Sequence, residues 1–170
     1  MRPSLNTYPT YFNTYIKLVT DDDILSAFLN QGPSATRFFE QISEVDSTYK
    51  YAEKKWTIKE ILQHISDAER IFAYRALAFA RKEKMALPSF DENIYAANSD
   101  ANSKSWESLV EEFISVRKSS EILFKLFSSE QLKRSGQVND YSISVLALGY
   151  TIVGHAAHHI NIITERYIDI

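Results

Sequence analysis

No cysteine occurs among the 170 residues, which excludes disulfides, cysteine–zinc clusters, iron–sulfur ligation and any thiol nucleophile of the chain's own. Glycine and proline are scarce, four of each, and so little punctuation suits long helices better than a many-turned β-sandwich. A basic excess is lacking too: 19 Lys and Arg against 22 Asp and Glu leave a net charge of −3, no electrostatic footprint for nucleic acid. Small basic clusters, Arg81-Lys82 with Lys84 and Lys133-Arg134, read as solvated helix ends. The opening MRPSLNTYPTYFNTYIK has neither the apolar core nor the cleavage site of a secretory signal, so cytoplasmic residence is the expectation. One run, from Tyr141 to Thr164, is free of formal charge and long enough to span a bilayer. It also contains His155, His158, His159, Asn161 and two glycines, and no second apolar span accompanies it. A helix buried in a soluble bundle is the simpler reading.

What is present is ordinary globular material, 45% hydrophobic and 24% charged, in a length that fits one domain. Residues 1–20 read as an irregular, tyrosine-rich arm with room for a short helix, and 21–170 as the domain proper. Asp21, Asp22 and Asp23 crowd a helix N-terminus, where carboxylates complement the dipole. Gly32-Pro33 is expected to break or kink that helix, which resumes at Ser34 with Phe38, Ile42 and Val45 on one face. Thr57-Ile-Lys-Glu60 is a capping box, with Trp56 and Ile61 at the positions of a hydrophobic staple. Ile58, Ile61, Leu62, Ile65, Ala68, Phe72 and Leu77 then recur at helical spacing to about Arg81. The stretch 86–104 is loop-like, with a turn of helix near Asn93. A third helix starts near Ser105 with Trp106, Leu109, Val110, Phe113, Val116, Ile122, Leu123 and Leu126 as its stripe. Ser128-Ser-Glu-Gln131 opens a short helix that Gly136 closes, Asn139-Asp140 marks a turn, and a fourth long helix runs from about Ser142 to Tyr167. No alternating run claims a strand. The expectation is an all-α four-helix bundle.

The four histidines carry the chemistry. His155 and His159, four apart on one helix, project from the same face and can grip one metal ion from one side. A third ligand must come from another helix, and His64 is the remaining histidine. Periodicity turns both sets inward: Leu148, Ile152, His155, His159 and Ile162 form one stripe, and Ile61, His64, Ala68 and Ile71 another. A buried imidazole without a partner costs about 1–3 kcal/mol, which a shared divalent ion removes. The plainer alternative is a set of hydrogen-bonded core histidines. His158 falls between faces, outside the ligand set or facing solvent, and is the substitute ligand should the register differ. Three imidazoles leave an ion with open positions, the catalytic arrangement. Imidazole suits Zn, Ni, Fe, Cu or Co alike, so ligand type does not choose between them. Ala156 stands where the H-E-x-x-H metalloprotease motif has its base, so any base comes from elsewhere. Asp67, one turn after His64, is the candidate catalytic residue, against the plainer reading of a surface acid partnering Arg70. Arg75 recurs on the His64 side of its helix and is placed to meet an anionic ligand, while Tyr8, Tyr11 and Tyr15 are candidates to line a pocket mouth.

Two segments, WTIKEILQHISDAER (Trp56 to Arg70) and GHAAHHINIITERY (Gly154 to Tyr167), together resemble the DinB-like (DinB/YfiT-type) superfamily of metal-binding bundles. The resemblance covers about residues 22–168, and its specificity lies in the pairing of the two segments. It implies an up-down-down-up bundle, a homodimer, and one divalent metal held by His64, His155 and His159, for which Zn or Ni is the expectation. It also implies a small-molecule substrate; no nucleic acid or membrane partner is expected, from the charge balance and the lone apolar run. Characterised members include thiol-dependent S-transferases and isomerases using bacillithiol or mycothiol, where the metal is thought to present the thiol as thiolate; others are regarded as metal-dependent hydrolases. Three functions follow as expectations: thiol transfer or detoxification with a metal-bound thiolate, hydrolysis by metal-bound hydroxide, and a non-catalytic bundle that binds metal or a partner.

Overall fold

In the computed structural model, which describes residues 1–168, two 3₁₀ turns (Leu5–Thr7 and Thr10–Phe12) lead into α1 (Asn13–Ile16). There follow α2 (Ile24–Glu40), α3 (Glu44–Ser47), α4 (Ile58–Ala80), α5 (Glu92–Ala97), α6 (Trp106–Lys125) and α7 (Ser129–Lys133). A hairpin of β1 (Ser135–Val138) and β2 (Tyr141–Ser144) then delivers the chain to α8 (Val145–Arg166). Residues 169 and 170, assigned above to the domain, lie outside the described residues. No helix among those described is long and apolar enough to cross a membrane.

Contacts fix the direction of the four long helices. Phe28 meets Phe124 and Phe39 meets Trp106, so α2 and α6 are antiparallel. Gln63 reaches Glu112 and Glu69 reaches Arg117, so α4 and α6 run the same way. The Tyr167 hydroxyl donates to the Trp56 carbonyl at one end, and Arg134, just before α8, donates to the Ala80 carbonyl at the other, so α4 and α8 are antiparallel. The result is an all-α bundle with up-down-down-up topology.

Capping accounts for where the helices start. Thr57 and Glu60 form the expected capping box, as do Ser128 and Gln131, and Asp23, Ser105 and Ser144 each accept from a backbone N–H three residues on. Pro33 does not break its helix: α2 runs through it. Pro33 is exposed and so is Leu29, whose carbonyl the missing N–H releases to water. The Ser34 hydroxyl, donating to the Asn30 and Gln31 carbonyls, supports the same turn.

Strands do form where helix was expected. Ser135 to Val138 pair antiparallel with Tyr141 to Ser144 across a tight turn in which Asn139 takes a positive φ of 45°. Gly136 is therefore a strand residue, not a helix stop, and a Cβ there would fall 1.9 Å from the Phe79 ring. The last long helix accordingly starts at Val145. On α6 the inward face is Phe113, Val116, Arg117, Ser120 and Phe124; Ile122 lies half a turn away and is exposed, as is Leu126 beyond the helix end. Val45 and Leu77, also expected inside, are exposed as well.

The core is two apolar clusters. One, built on Phe28, Phe79, Phe124 and Leu148, also takes in the arm; the other contains Phe39, Leu62, Phe113 and Ile163. Each such side chain, wholly buried, contributes roughly 1.5–3 kcal/mol. A buried ion pair crosses between α4 and α6: Arg117 donates to both Glu69 carboxylate oxygens at 2.8–3.1 Å, and also to Gln31. The arm is packed rather than loose. Tyr8, Phe12, Ile16 and Val19 are buried, and Arg2 donates to the carbonyls of Ile16, Val19 and Asp21. It lies so close to α8 that a Cβ at Gly154 would stand 2.2 Å from the Tyr15 carbonyl oxygen.

Candidate metal centre

His64 lies two turns inside α4, and His155 and His159 one turn apart on α8. Since these helices are antiparallel neighbours, the three rings meet. The Nε2 atoms of His64 and His159 each stand 3.1 Å from that of His155, and one ligand atom from each residue falls within 4.8 Å of the others. Two nitrogens bound to one ion at 2.0–2.1 Å, at tetrahedral or octahedral angles, lie about 2.9–3.4 Å apart. Both 3.1 Å separations, His64 to His155 and His155 to His159, fall in that range.

The charge state fits as well. Burial holds the His64 imidazole down at about 4. Burial, then the neighbouring imidazoles of His159 and His64, holds His155 well below the usual range, and burial with His64 and His158 does the same to His159. All three are neutral at pH 7 and offer lone pairs, the form a divalent cation takes. Protons alone serve them poorly: both short contacts share the His155 Nε2, and His64 Nδ1 is buried without a partner.

The rings floor a cavity of about 290 Å³. Trp56 and Phe72 wall it, with ring centroids 5.0 Å from His64 and 5.9 Å from His155 respectively. The arm supplies the roof: the Tyr15 ring lies 5.2 Å from His155 and 5.3 Å from His158, and its hydroxyl is 2.9 Å from that of Tyr11. Burial pushes the Tyr15 phenol far up, so it stays protonated. His158 is half-buried in the wall and stacks edge-on with His159, outside the three-nitrogen group. Arg75 lines the far end, with Tyr141, Ser89, Phe90 and Glu92.

Asp67 points elsewhere. It accepts from Gln63 at 3.1 Å, lies 3.7 Å from Arg70, and does not line the cavity. Burial raises its carboxyl against the Gln63 hydrogen bond that lowers it. Glu92, exposed at the rim, is the one acid in the lining among the described residues. The histidines and Arg75 were visible as sequence periodicity. Ser89, Phe90, Glu92 and Tyr141 were not, because a loop, the start of α5 and a hairpin bring them there and nothing local in their sequence marks them.

A family model described as the DinB superfamily matches residues 30–163. The chain belongs to the DinB superfamily. Its fold is similar to that of YfiT from Bacillus subtilis, described as a probable metal-dependent hydrolase with an unusual four-helix bundle topology. That match has a TM-score of 0.75 at 18% identity, over 85% of this chain and 83% of the other. A mycothiol-dependent maleylpyruvate isomerase is also similar, with a TM-score of 0.68 at 8% identity, over 81% of this chain and 58% of that one. At such identities the two structures establish a shared fold. No curated protein matches the sequence significantly. Within this DinB superfamily member, the three histidines are the group able to hold a metal ion among the described residues.

Proposed function

We propose that this protein is a divalent-metal-dependent enzyme acting on a small molecule, and that its chemistry is thiol transfer with a low-molecular-weight thiol as cosubstrate. The observation that carries the reading is the convergence of three neutral imidazole nitrogens on the floor of a half-open cavity. A divalent ion held there supplies Lewis acidity and the means to keep a thiol sulfur as thiolate at neutral pH.

The chain's own residues do the rest. His64, His155 and His159 are the ligands, held in place by their helices. Trp56, Phe72 and Tyr15 keep bulk water off the reacting end, which strengthens every polar interaction inside. The protonated Tyr15 hydroxyl is a donor at the roof. No carboxylate of the chain stands at the histidines among the described residues: Asp67 is committed to Gln63 and Arg70, and Glu92 sits at the rim. A site with no carboxylate beside its ligands suits a reaction whose nucleophile arrives with the cosubstrate. Glu92 favours the second reading, hydrolysis, in which it would serve as the base. The described relatives bear on both readings, one named a probable hydrolase and the other dependent on mycothiol.

The test is the metal content of tag-free protein, wild type and His155→Ala, followed by turnover of a chromogenic electrophile with a panel of thiols. About one ion per chain in the wild type, lost in the variant, with thiol-dependent turnover that survives Glu92→Gln, is the expected result. Turnover without thiol that collapses in Glu92→Gln favours hydrolysis. A wild type that binds no Zn or Ni at all sinks both.

A further inference from the structure

Arg75 is only 3% exposed, yet no carboxylate pairs with it among the described residues. The other buried arginine, Arg117, shows the contrast: its charge is met by Glu69. Arg75 has the backbone carbonyl of Pro88, which accepts from its Nη2 at 2.7 Å, and two aromatic neighbours, with its Cζ 6.0 Å from the Phe72 ring centroid and 5.9 Å from that of Phe90. Rings and one carbonyl do not neutralise a guanidinium, and a buried charge without a counter-ion is costly. The Tyr141 phenol stands beside it, and burial keeps that phenol protonated against the opposing pull of Arg75. The guanidinium and the Tyr141 hydroxyl thus present donors with no acid among the described residues to receive them.

These groups line the same cavity as the histidines. The Phe72 ring relates the two ends, its centroid 6.0 Å from the Arg75 Cζ and 5.9 Å from the His155 ring. We infer that Arg75, with Tyr141, is the anchor for a carboxylate on the ligand, and that this ligand is an elongated molecule carrying that carboxylate several bonds from the end that faces the histidines. A carboxylate matches the planar fork of a guanidinium and takes two parallel hydrogen bonds. A single negative charge is what one arginine calls for, since no other Lys or Arg lines the cavity. Glu92 shares the lining, but it is exposed at the rim and bears on Tyr15 rather than on Arg75. The inference deepens the proposed function and rests on the same cavity being the ligand site.

The probes are 6-mercaptohexanoate and 6-mercaptohexanamide on zinc-loaded protein, with hexanoate and hexanamide on metal-free protein, all read by calorimetry or chemical-shift perturbation. Thiol–metal contact is common to the first pair, so their difference isolates the charge. A charge-assisted bidentate contact makes each acid bind about 10- to 100-fold tighter than its amide. Arg75→Met removes that advantage, leaves amide affinity and zinc content unchanged, and Arg75→Lys restores part of it. Arg75→Met weakening acid and amide alike marks a purely structural arginine and overturns the inference, as does an acid that binds no better than its amide in wild type. Amide bound without an acid advantage leaves the proposed function standing while the inference fails. Binding of none of the four probes overturns both.

Discussion

Gly154→Ala is the substitution that sets two physical effects most sharply against each other. The site is a helix interior, where alanine is favoured over glycine by about 1 kcal/mol. Against this, the new Cβ would sit 2.2 Å from the Tyr15 carbonyl oxygen and 2.6 Å from its carbon, so the arm must withdraw by roughly 1 Å. Overpacking of this kind costs about 1–3 kcal/mol. The upper part of that range applies, because the obstacle is backbone and Arg2 holds the arm by three carbonyls. The net expectation is a loss of about 2 kcal/mol, or roughly 4–8 °C in Tm for a chain of this size. The strain also lifts Tyr15 from its place 5.2 Å from His155, opening the roof of the cavity. Denaturant unfolding and limited proteolysis between Tyr11 and Tyr15 read both effects. A variant more stable than wild type by about 1 kcal/mol, with an arm no more easily cleaved, would show that propensity alone rules and that the arm is not seated against α8.

Metal-free protein is expected to lose stability on acidification through the histidine range. The His64 imidazole, at about 4 when folded against an ordinary 6.5, stabilises fully above pH 6.5; below that the unfolded chain gains a proton that the folded one refuses, until pH falls to about 4. That single group contributes about 3 kcal/mol of loss, with His155 and His159 adding in the same direction, and urea midpoints between pH 7 and 4.5 measure it. A flat profile in chelator-treated protein would contradict buried neutral imidazoles. Glu69→Ala strands the Arg117 charge in the bundle interior and is expected to cost about 3–5 kcal/mol, whereas replacing both partners by apolar residues restores much of it; a double-mutant cycle in guanidinium chloride checks the sign.

The sequence makes some parts of this molecule plain and hides others for reasons that can be named. Thr57, Glu60 and the apolar spacing after them are local signals, and α4 forms where they place it. The histidine stripes are equally local, because a helix repeats its faces at fixed intervals, and two such stripes need only antiparallel packing to meet. The hairpin escapes notice because its two four-residue strands owe their stability to Phe79 beneath Gly136 and Leu87 beside Val138, distant residues that no short window reveals. Pro33 misleads because a break requires a buried, obligatory hydrogen bond, and here the freed carbonyl belongs to exposed Leu29. Ile122 misleads because hydrophobicity does not fix direction: Arg117 and Ser120 hold the inward face. The roof and far wall of the cavity belong to segments that gather only when the bundle closes.

The arm and α8 are neighbours in space but lie at opposite ends of the described chain. The Tyr150 hydroxyl donates to the Asp21 carbonyl, and Arg2 stacks over the Tyr150 ring. His64 and His155, in turn, are separated by 91 positions. During synthesis the arm emerges before α8; Phe12 can meet Phe72 of α4 early, but Tyr15 has no His155 to cover, and His64 no second histidine to meet, until α8 is made. The docking of one late helix thus seats the arm, roofs the cavity and assembles the ligand set in a single event. Until α8 docks, the chain offers a metal ion the single histidine of α4, so an ion bound by all three would enter only after that packing step.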